Sequence, residues 1–497
     1  MKRVLVGVLI SLACLAGLEL SLRLTTLFFD WKVTDSGRDR FIYHNRLWQQ
    51  QLFSNFLGVH QSDPLLLWEF KPHLHKNIFQ TNSQGTLGPE FQKQKPPGRF
   101  RILLLGDSSP VGLGLPRREE AFGEQFLQLL KETYPGRDLE LINASVSGYT
   151  SAQGVVWFKK YGVQLEPDLL MLFFGNNDAS FNGFLEDRQI LPQSFWLSDL
   201  QHFLGRFAIY QALRGALIPL KERLLHRKRL QSEQLKLRVP APDYFNNLKE
   251  IIEMAKQPGA QVLLTTIPVP REWPPAIEFK PFLNLKTKSG ELIMPQESRA
   301  LLSAQMAFCL DWSEIKQKYP QIDYWTLNVF RQVYSDSGNL DSSIFEYQKS
   351  LSTETANIYA LNNLAVLFWT KKDYVKSLQF LTRALGQDSL NPVLHYNLGM
   401  TIKKLGDTLS ALEEFHKAKE LDFHSLRTKD LYNQKIKLLA QLYNLPLLDL
   451  DSLFLENNNE FLFIDHCHPT KAGHRLIAQA LLEKIKETSW LEKREAR

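Results

Sequence analysis

Arg101-Ile102-Leu103-Leu104-Leu105-Gly106-Asp107-Ser108-Ser109 is the stretch that decides the fold of this chain. An apolar run that stops at Gly-Asp-Ser reads as a buried strand emptying into a tight turn. The serine then sits at the carboxyl end of a strand, where open α/β sheets place ligands. Alone, the tripeptide is a common loop sequence, and an ordinary turn serine explains it too. Its weight comes from three later segments that repeat the design.

The second segment is Leu139-Glu140-Leu141-Ile142-Asn143, followed by Ala144-Ser145-Val146-Ser147-Gly148. Glycine at the end of such a turn lets the backbone come close to a reacting group, so that its N–H points at a developing oxyanion. A plain turn glycine is the alternative. The third is Asp168-Leu169-Leu170-Met171-Leu172-Phe173-Phe174, then Gly175-Asn176-Asn177-Asp178, the clearest buried strand in the chain. An asparagine amide there donates to the same oxyanion. Asn177 and Asp178 also fit as caps of a helix after the strand.

The fourth is Ile464-Asp465-His466-Cys467-His468-Pro469, then Gly473-His474. A serine hydroxyl needs a base, and the base needs an acid to hold its tautomer. Asp and His three residues apart on one turn can meet, while immediate neighbours usually cannot. Asp465 therefore pairs with His468 rather than His466, and His466 and His474 read as structural. The cluster of Asp465, His466, Cys467, His468 and His474 invites a metal reading, but its spacing matches no standard zinc pattern.

These four blocks, in this order, resemble the SGNH (also called GDSL) hydrolase family. The family's marks are Gly-Asp-Ser, a second-block Gly, Gly-x-Asn-Asp, and Asp-x-x-His. Here they stand as Gly106-Asp107-Ser108, Gly148, Gly175-Asn176-Asn177-Asp178, and Asp465-His466-Cys467-His468. The resemblance implies Ser108 as nucleophile, His468 as base and Asp465 as the group that orients it. It implies an oxyanion hole of the Ser108 backbone N–H, Gly148 and Asn177. It calls for no metal and no organic cofactor.

The whole chain sets bounds on this reading. It has 497 residues, 44% of them hydrophobic, enough for several domains. The net charge is +6, but residues 201–240 alone hold nine Lys or Arg against Glu222 and Glu233. The remainder is near neutral, which argues against a nucleic-acid-binding protein. Met1-Lys2-Arg3 precedes the uncharged run Val4–Leu18, and apolar residues resume after Glu19 and Arg23 as far as Phe29. Residues 1–30 read as a signal anchor, with a cleaved signal or lipoprotein signal as the alternative. With Lys2 and Arg3 inside, the rest lies outside the cytoplasm, periplasmic or extracellular. Cys14 falls in this segment, and Cys309 and Cys467 read as buried free thiols, with pairing as the alternative.

Residues 31–98 form an approach segment with turn signals at Asp63-Pro64, Lys71-Pro72 and Asn82-Ser83-Gln84-Gly85. Segments ending in a similar Asn-Ser-x-Gly stretch accompany membrane-anchored SGNH proteins that this chain resembles. The first part of the hydrolase domain spans 99–322, with a basic helical insertion at about 200–240. In that insertion Phe203, Phe207, Tyr210, Leu213, Leu217, Leu220 and Leu224 follow a helical period, interrupted by Pro219. It reads as a packing helix with a solvated basic face, or as a lid or membrane-surface helix. Tyr244–Lys256 reads as an amphipathic helix and Ala260–Ile267 as the next strand. Strand, helix, strand at this spacing predicts a doubly wound parallel α/β sheet, a three-layer sandwich.

A 34-residue period follows. Leu364-Ala365 matches Leu398-Gly399, Asp373 matches Asp407, Ser377 matches Ala411, Leu381 matches Phe415 and Ala384 matches Ala418. Small residues at helix crossings, with Pro392 at the junction, resemble tetratricopeptide (TPR) repeats. Residues 357–423 hold two clear repeats within a TPR-like array of 323–423. Its degenerate first copy includes Phe330, Tyr334, Asn339, Ser343, Tyr347 and Ser350. Residues 424–490 return to the hydrolase domain, with a helix at Lys429–Leu442, a short strand at Leu445–Leu450 and a last helix at Ala472–Lys486.

The resemblance implies a serine esterase that passes through an acyl-serine, acting on an acyl ester of an extracytoplasmic carbohydrate or cell-envelope substrate. Two alternatives stay open. The same site can transfer the acyl group to a sugar hydroxyl of an exported polysaccharide. A TPR array offers a concave surface to a protein partner, so the chain can also be a scaffold with an inactive hydrolase domain. No nucleic-acid partner is expected.

Overall fold

The computed structural model describes residues 2–28, 59–63, 65–180, 186–191, 194–210, 212–213, 237–257, 259–275, 306–310, 340–353, 357–422, 427–457 and 461–492. The chain begins with helix α1 (Lys2–Phe28). Its stretch Leu5–Leu24, 20 residues of mean hydropathy 2.2, is long and apolar enough to cross a membrane by length and composition.

Two antiparallel hairpins follow, β1 (His60–Asp63) with β2 (Leu67–Phe70) and β3 (His75–Lys76) with β4 (Phe79–Gln80). The turn after them needs its glycine. Asn82 Oδ1 accepts the N–H groups of Gln84 and Thr86, and Gly85 takes φ +75°, where a Cβ would lie 2.8 Å from the Phe70 carbonyl oxygen.

The main sheet has five strands: β5 (Phe100–Gly106), β6 (Leu139–Asn143), β7 (Leu169–Phe173), β8 (Gln261–Thr265) and β9 (Leu447–Leu448). Their order is β6-β5-β7-β8-β9, and every pair is parallel. The sheet is therefore doubly wound, and its topological switch point lies between β5 and β7. All of β5 and β7 is buried, which is why they read as unbroken apolar runs. Arg101 is the exception in β5. Its buried guanidinium donates to the carbonyls of Gln92, Lys93 and Leu165 and to Glu140.

The helices of this domain are α2 (Ser108–Val111), α3 (Phe122–Thr133), α4 (Ser151–Trp157), α5 (Asp187–Ile190), α6 (Phe195–Leu204) and α7 (Ala241–Lys256). Helix α7 starts three residues before the expected Tyr244, with Pro240 as its cap and Pro242 in its first turn, where a missing N–H costs nothing. Of the expected insertion helix, α6 ends at Leu204. Leu217, Pro219, Leu220 and Leu224 lie outside the described residues. This segment touches the N-terminal helix: Glu19 accepts from the backbone N–H groups of Ala208 and Ile209 at 2.9 and 3.0 Å.

A helical region separates β8 from β9. It contains α8 (Leu340–Thr353), α9 (Ile358–Thr370), α10 (Tyr374–Leu385), α11 (Pro392–Lys404) and α12 (Thr408–Leu421). Of the expected degenerate copy, about 323–356, residues 323–339 and 354–356 lie outside the described residues. The 34-residue period is visible in the caps: Asp373 accepts from Lys376 N–H and Asp407 from Ser410 N–H. It is visible too in the crossings, where Ser377, Ala384, Ala411 and Ala418 are buried. These helices form an apolar core of their own.

Three helices complete the chain: α13 (Asp430–Tyr443), α14 (Leu450–Glu456) and α15 (Lys471–Thr488). Helix α15 packs on α3, and α13 packs on α7, which also contacts α4. The last strand is shorter than expected, two residues rather than six, because Leu450 already opens α14 with Asp449 as its cap.

Candidate active site

The site lies at the carboxyl ends of β5 and β7. Gly106 ends β5, where a Cβ would fall 2.6 Å from both the Phe173 carbonyl oxygen and the Pro110 ring. Asp107 is the cap of α2, its Oδ1 accepting Ser109 N–H at 2.9 Å. Ser108 is the first residue of that helix and is buried. Asp107 is wholly buried, and its Oδ2 has no partner among the described residues. Burial pushes its carboxyl up to about 6 against the Ser109 bonds, which lower it.

His468 Nε2 lies 2.7 Å from Ser108 Oγ, and His468 Nδ1 lies 2.7 Å from Asp465 Oδ2. The other carboxylate oxygen of Asp465 accepts the backbone N–H groups of Cys467 and His468. The Asp-x-x-His turn thus closes on itself before it meets the serine. Burial is the largest influence and disfavours a charged His468, but Asp465 and Cys467 together outweigh it and raise the imidazole well above its ordinary value. Burial disfavours the Asp465 anion too, and the His468 and His466 charges hold it well below the usual carboxylate range. Asp465, His466 and Cys467 bring potential metal ligands within 4.8 Å of one another, yet both Asp465 oxygens are already engaged by the turn and by His468. His466 instead faces the Trp273 ring at 6.2 Å. His474 accepts Phe122 N–H at 3.1 Å, and burial lowers it to about 3, so it stays neutral. Cys467 and Cys309 are both buried free thiols.

The second block is carried to β5 by its backbone: Ala144 N–H donates to the Leu104 carbonyl and Val146 N–H to that of Gly106. Gly148 takes φ +83°. The approach segment braces this turn. Trp68 Nε1 donates to the Ser147 carbonyl, Tyr149 Oη donates to the Trp68 carbonyl, and Gln153 donates to the Leu66 carbonyl. Arg238 holds the same turn from the other side. It donates to the Gly148 carbonyl at 2.8 Å and pairs with Asp187 at 2.8 Å, both side chains nearly fully buried.

In the third block, Asn177 Nδ2 donates to the Tyr149 carbonyl at 3.1 Å, so one of its two amide hydrogens is committed to the second block. Asp178 is neither free nor a cap for its own turn. Its Oδ1 accepts Ser151 N–H and Ser151 Oγ–H, which caps α4 from a different loop. Burial raises its carboxyl to about 7 against those bonds. Asn176 Oδ1 accepts from Thr428, the backbone N–H at 3.0 Å and the hydroxyl at 2.8 Å. Arg427, also buried, donates to the Pro270 and Trp273 carbonyls. Sequence reasoning missed Arg238, Asp187, Arg427 and Thr428. Most of them bind groups far away in the chain, so no local spacing announces them.

Residues 104–284 match the family described as "GDSL-like Lipase/Acylhydrolase family". With the Ser108–His468–Asp465 geometry, this match defines the class of protein: a hydrolase acting on ester bonds. No curated protein matches the chain. Among solved structures it is similar to TesA, at 22% identity and a TM-score of 0.20, over 34% of this chain and 62% of that one. It is similar also to LAE5, an alpha/beta hydrolase enzyme from the metagenome of Lake Arreo, Spain, at 12% identity and a TM-score of 0.32, over 78% and 95% of the two chains. A third similarity is to Axe2, an acetylxylan esterase from Geobacillus stearothermophilus, at 13% identity and a TM-score of 0.32, over 78% and 94%.

Proposed function

We propose that the chain is a serine esterase of SGNH type, held at a membrane by α1, that acts outside the cytoplasm on acyl esters of carbohydrate or other envelope material. The observation that carries the chemistry is the 2.7 Å contact between Ser108 Oγ and His468 Nε2, with Asp465 behind the ring. Neutral His468 takes the hydroxyl proton as Ser108 Oγ attacks the acyl carbonyl. Asp465 stabilises the imidazolium that forms. The oxyanion is held by backbone N–H groups at Ser108 and Gly148 and by the uncommitted Asn177 amide hydrogen. His468 then gives its proton to the departing alcohol, leaving an acyl-serine. Water, deprotonated by His468, releases the acid.

The location rests on the apolar α1 and on Lys2 and Arg3 before it, which favour the cytoplasmic side. The helical pairs α9–α10 and α11–α12, with their 34-residue period, support the reading as tetratricopeptide repeats. The test is labelling of the full chain by a fluorophosphonate, followed by hydrolysis of p-nitrophenyl acetate and of acetylated polysaccharide. Label that depends on Ser108 together with released acetate supports the esterase. Acetate recovered on an added sugar hydroxyl would favour transfer by the same acyl-serine. A folded chain that takes no label and releases no acetate would leave only the scaffold reading.

A further inference from the structure

Helix α6 is built inside out. Trp196, Leu200, Phe203 and, in the turn beyond the helix, Phe207 recur at steps of four, three and four, which aligns them on one face. That face looks outward: the four side chains are 66%, 42%, 52% and 39% exposed. Leu197 beside them is exposed too. Ser194, Ser198, Gln201 and Gly205 follow the same steps on the opposite side, and there Ser198 and Gly205 are buried while Ser194 and Gln201 are half-buried. A helix on a water-facing surface carries the reverse pattern, apolar inward and polar outward. Charges tie α6 to the domain behind it. Lys160 donates to both carboxylate oxygens of Asp199, at 2.8 and 2.7 Å, and Lys159 and Lys160 stand over the Phe195 ring.

The far end of α6 meets α1. Glu19 takes the Ala208 and Ile209 N–H groups, while Arg23 donates to the Arg206 carbonyl at 2.8 Å and to Glu19 at 2.7 Å. Glu19 stands five residues before Leu24, the last residue of the apolar stretch. At 1.5 Å per residue that is about 7.5 Å inside its outer end. Helices that lie in a bilayer surface bury their apolar face about 5–10 Å into the boundary between headgroups and acyl chains. The bonds to Glu19 therefore hold the Arg206–Ile209 turn at that depth. A carboxylate there is costly without partners, and Arg23 and the two N–H groups supply them. Tryptophan and phenylalanine are residues that interfacial helices use. The sequence from 201 to 240, with nine Lys or Arg against two Glu, adds the positive charge that anionic headgroups attract.

We infer that the Trp196–Phe207 face is a second membrane contact, seated in the headgroup region of the bilayer that α1 crosses, and that lipid is its occupant. The inference rests on the reading of α1 as a membrane span. The catalytic domain is then fixed to the bilayer at two places. The height of Ser108 above the lipid is set by the fold as well as by the length of chain after α1.

The test places an environment-sensitive fluorescent maleimide on the full chain in vesicles of phosphatidylcholine and phosphatidylglycerol. One sample carries it at Cys14, within α1. Three more carry it on Leu200→Cys, Phe203→Cys or Leu409→Cys in a Cys14→Ser background. Cys309 and Cys467 are buried, and Cys14→Ser alone measures their residual labelling. Leu409, on α12, is the control, an apolar side chain that is 78% exposed. Lipids bearing a nitroxide near the top of the acyl chain should quench the label at 200 and 203 at least about threefold more than at 409, and aqueous iodide should show the reverse order. Two positions one turn apart, each checked by the helical circular dichroism signal, guard against one variant that fails to fold. Quenching at 200 and 203 no stronger than at 409, with Cys14 still shielded from iodide, overturns the inference and leaves the anchor standing. Iodide reaching Cys14 as freely as 409 removes the anchor and the inference with it. A label at 200 and 203 shielded from iodide but untouched by nitroxide lipid means that protein covers the face, which also overturns it.

Discussion

Asn176 accepts two hydrogen bonds from Thr428, although the two stand 252 positions apart. Asn176 precedes the asparagine nominated for the oxyanion hole, and Thr428 is among the first residues after the helical insert. Gly175 makes the contact possible, since a Cβ there would lie 2.8 Å from Thr428 Oγ1. Thr428→Val removes the hydroxyl bond and leaves the backbone bond. A typical net hydrogen bond is worth about 1 kcal/mol, so kcat on p-nitrophenyl acetate should fall about fivefold with KM nearly unchanged. An unaltered kcat would show that the third block does not depend on this clamp.

In the proposed mechanism Ser108 and His468 act as a unit. Ser108→Ala and His468→Ala should each lower kcat by at least about 10⁴-fold, with no further loss in the double variant. Steady-state kinetics with purified variants, each checked for an unchanged melting temperature, read the outcome.

The pH profile follows from the direction of the His468 shift. The base works only when neutral, and the Asp465 carboxylate raises its pKa above the ordinary value. Activity is therefore lost as pH falls through the raised value. The acid limb of kcat/KM should have its midpoint above about 6.5, the unperturbed imidazole value. Asp465→Asn should move that midpoint down as well as reduce the rate. A limb below pH 6 in the wild type would contradict the geometry.

Arg238 and Asp187 form a buried ion pair beside Gly148. Arg238→Met strands the Asp187 carboxylate and should cost about 3–5 kcal/mol of stability. Adding Asp187→Asn should recover part of that loss, a coupling that denaturant titration of the four chains in the cycle measures.

Gly399 sits where α11 meets α12, and a Cβ there would lie 2.8 Å from the Phe415 ring and 3.1 Å from the Ala411 carbonyl oxygen. Phe415 is buried and has little room to yield. Gly399→Ala should destabilise the helical pairs by about 1–3 kcal/mol, seen as a lower melting transition by circular dichroism. Ser108 labelling below that transition should be unaffected.

Much of this architecture is legible in the sequence because burial on both faces writes β5 and β7 as continuous apolar runs. The helix crossings of the insert likewise write themselves as small residues every 34 positions. The ends are less legible. β9 is cut to two residues because Asp449 is a better helix cap than strand residue, and α7 begins early because Pro240 serves as its cap and Pro242 suits its first turn. In the site, Ser108, Asp465 and His468 are local readings, each announced by its own turn. Arg238, Thr428 and Trp68 are not, because their work is to hold another segment's backbone, and no nearby spacing encodes a partner that far away. Asp178 shows the same limit. Its neighbours suggest a cap for its own turn, but the carboxylate caps α4 instead.

Ser108 and His468 stand 360 positions apart, with the whole helical insert between them. During synthesis the proposed nucleophile emerges long before its proposed base. A chain halted in the insert carries β5–β8 but neither Asp465 nor His468, and so lacks the base of the proposed mechanism. On the proposed mechanism, hydrolytic activity is thus a report that translation has passed residue 468, and a partly made chain cannot act prematurely on an ester substrate.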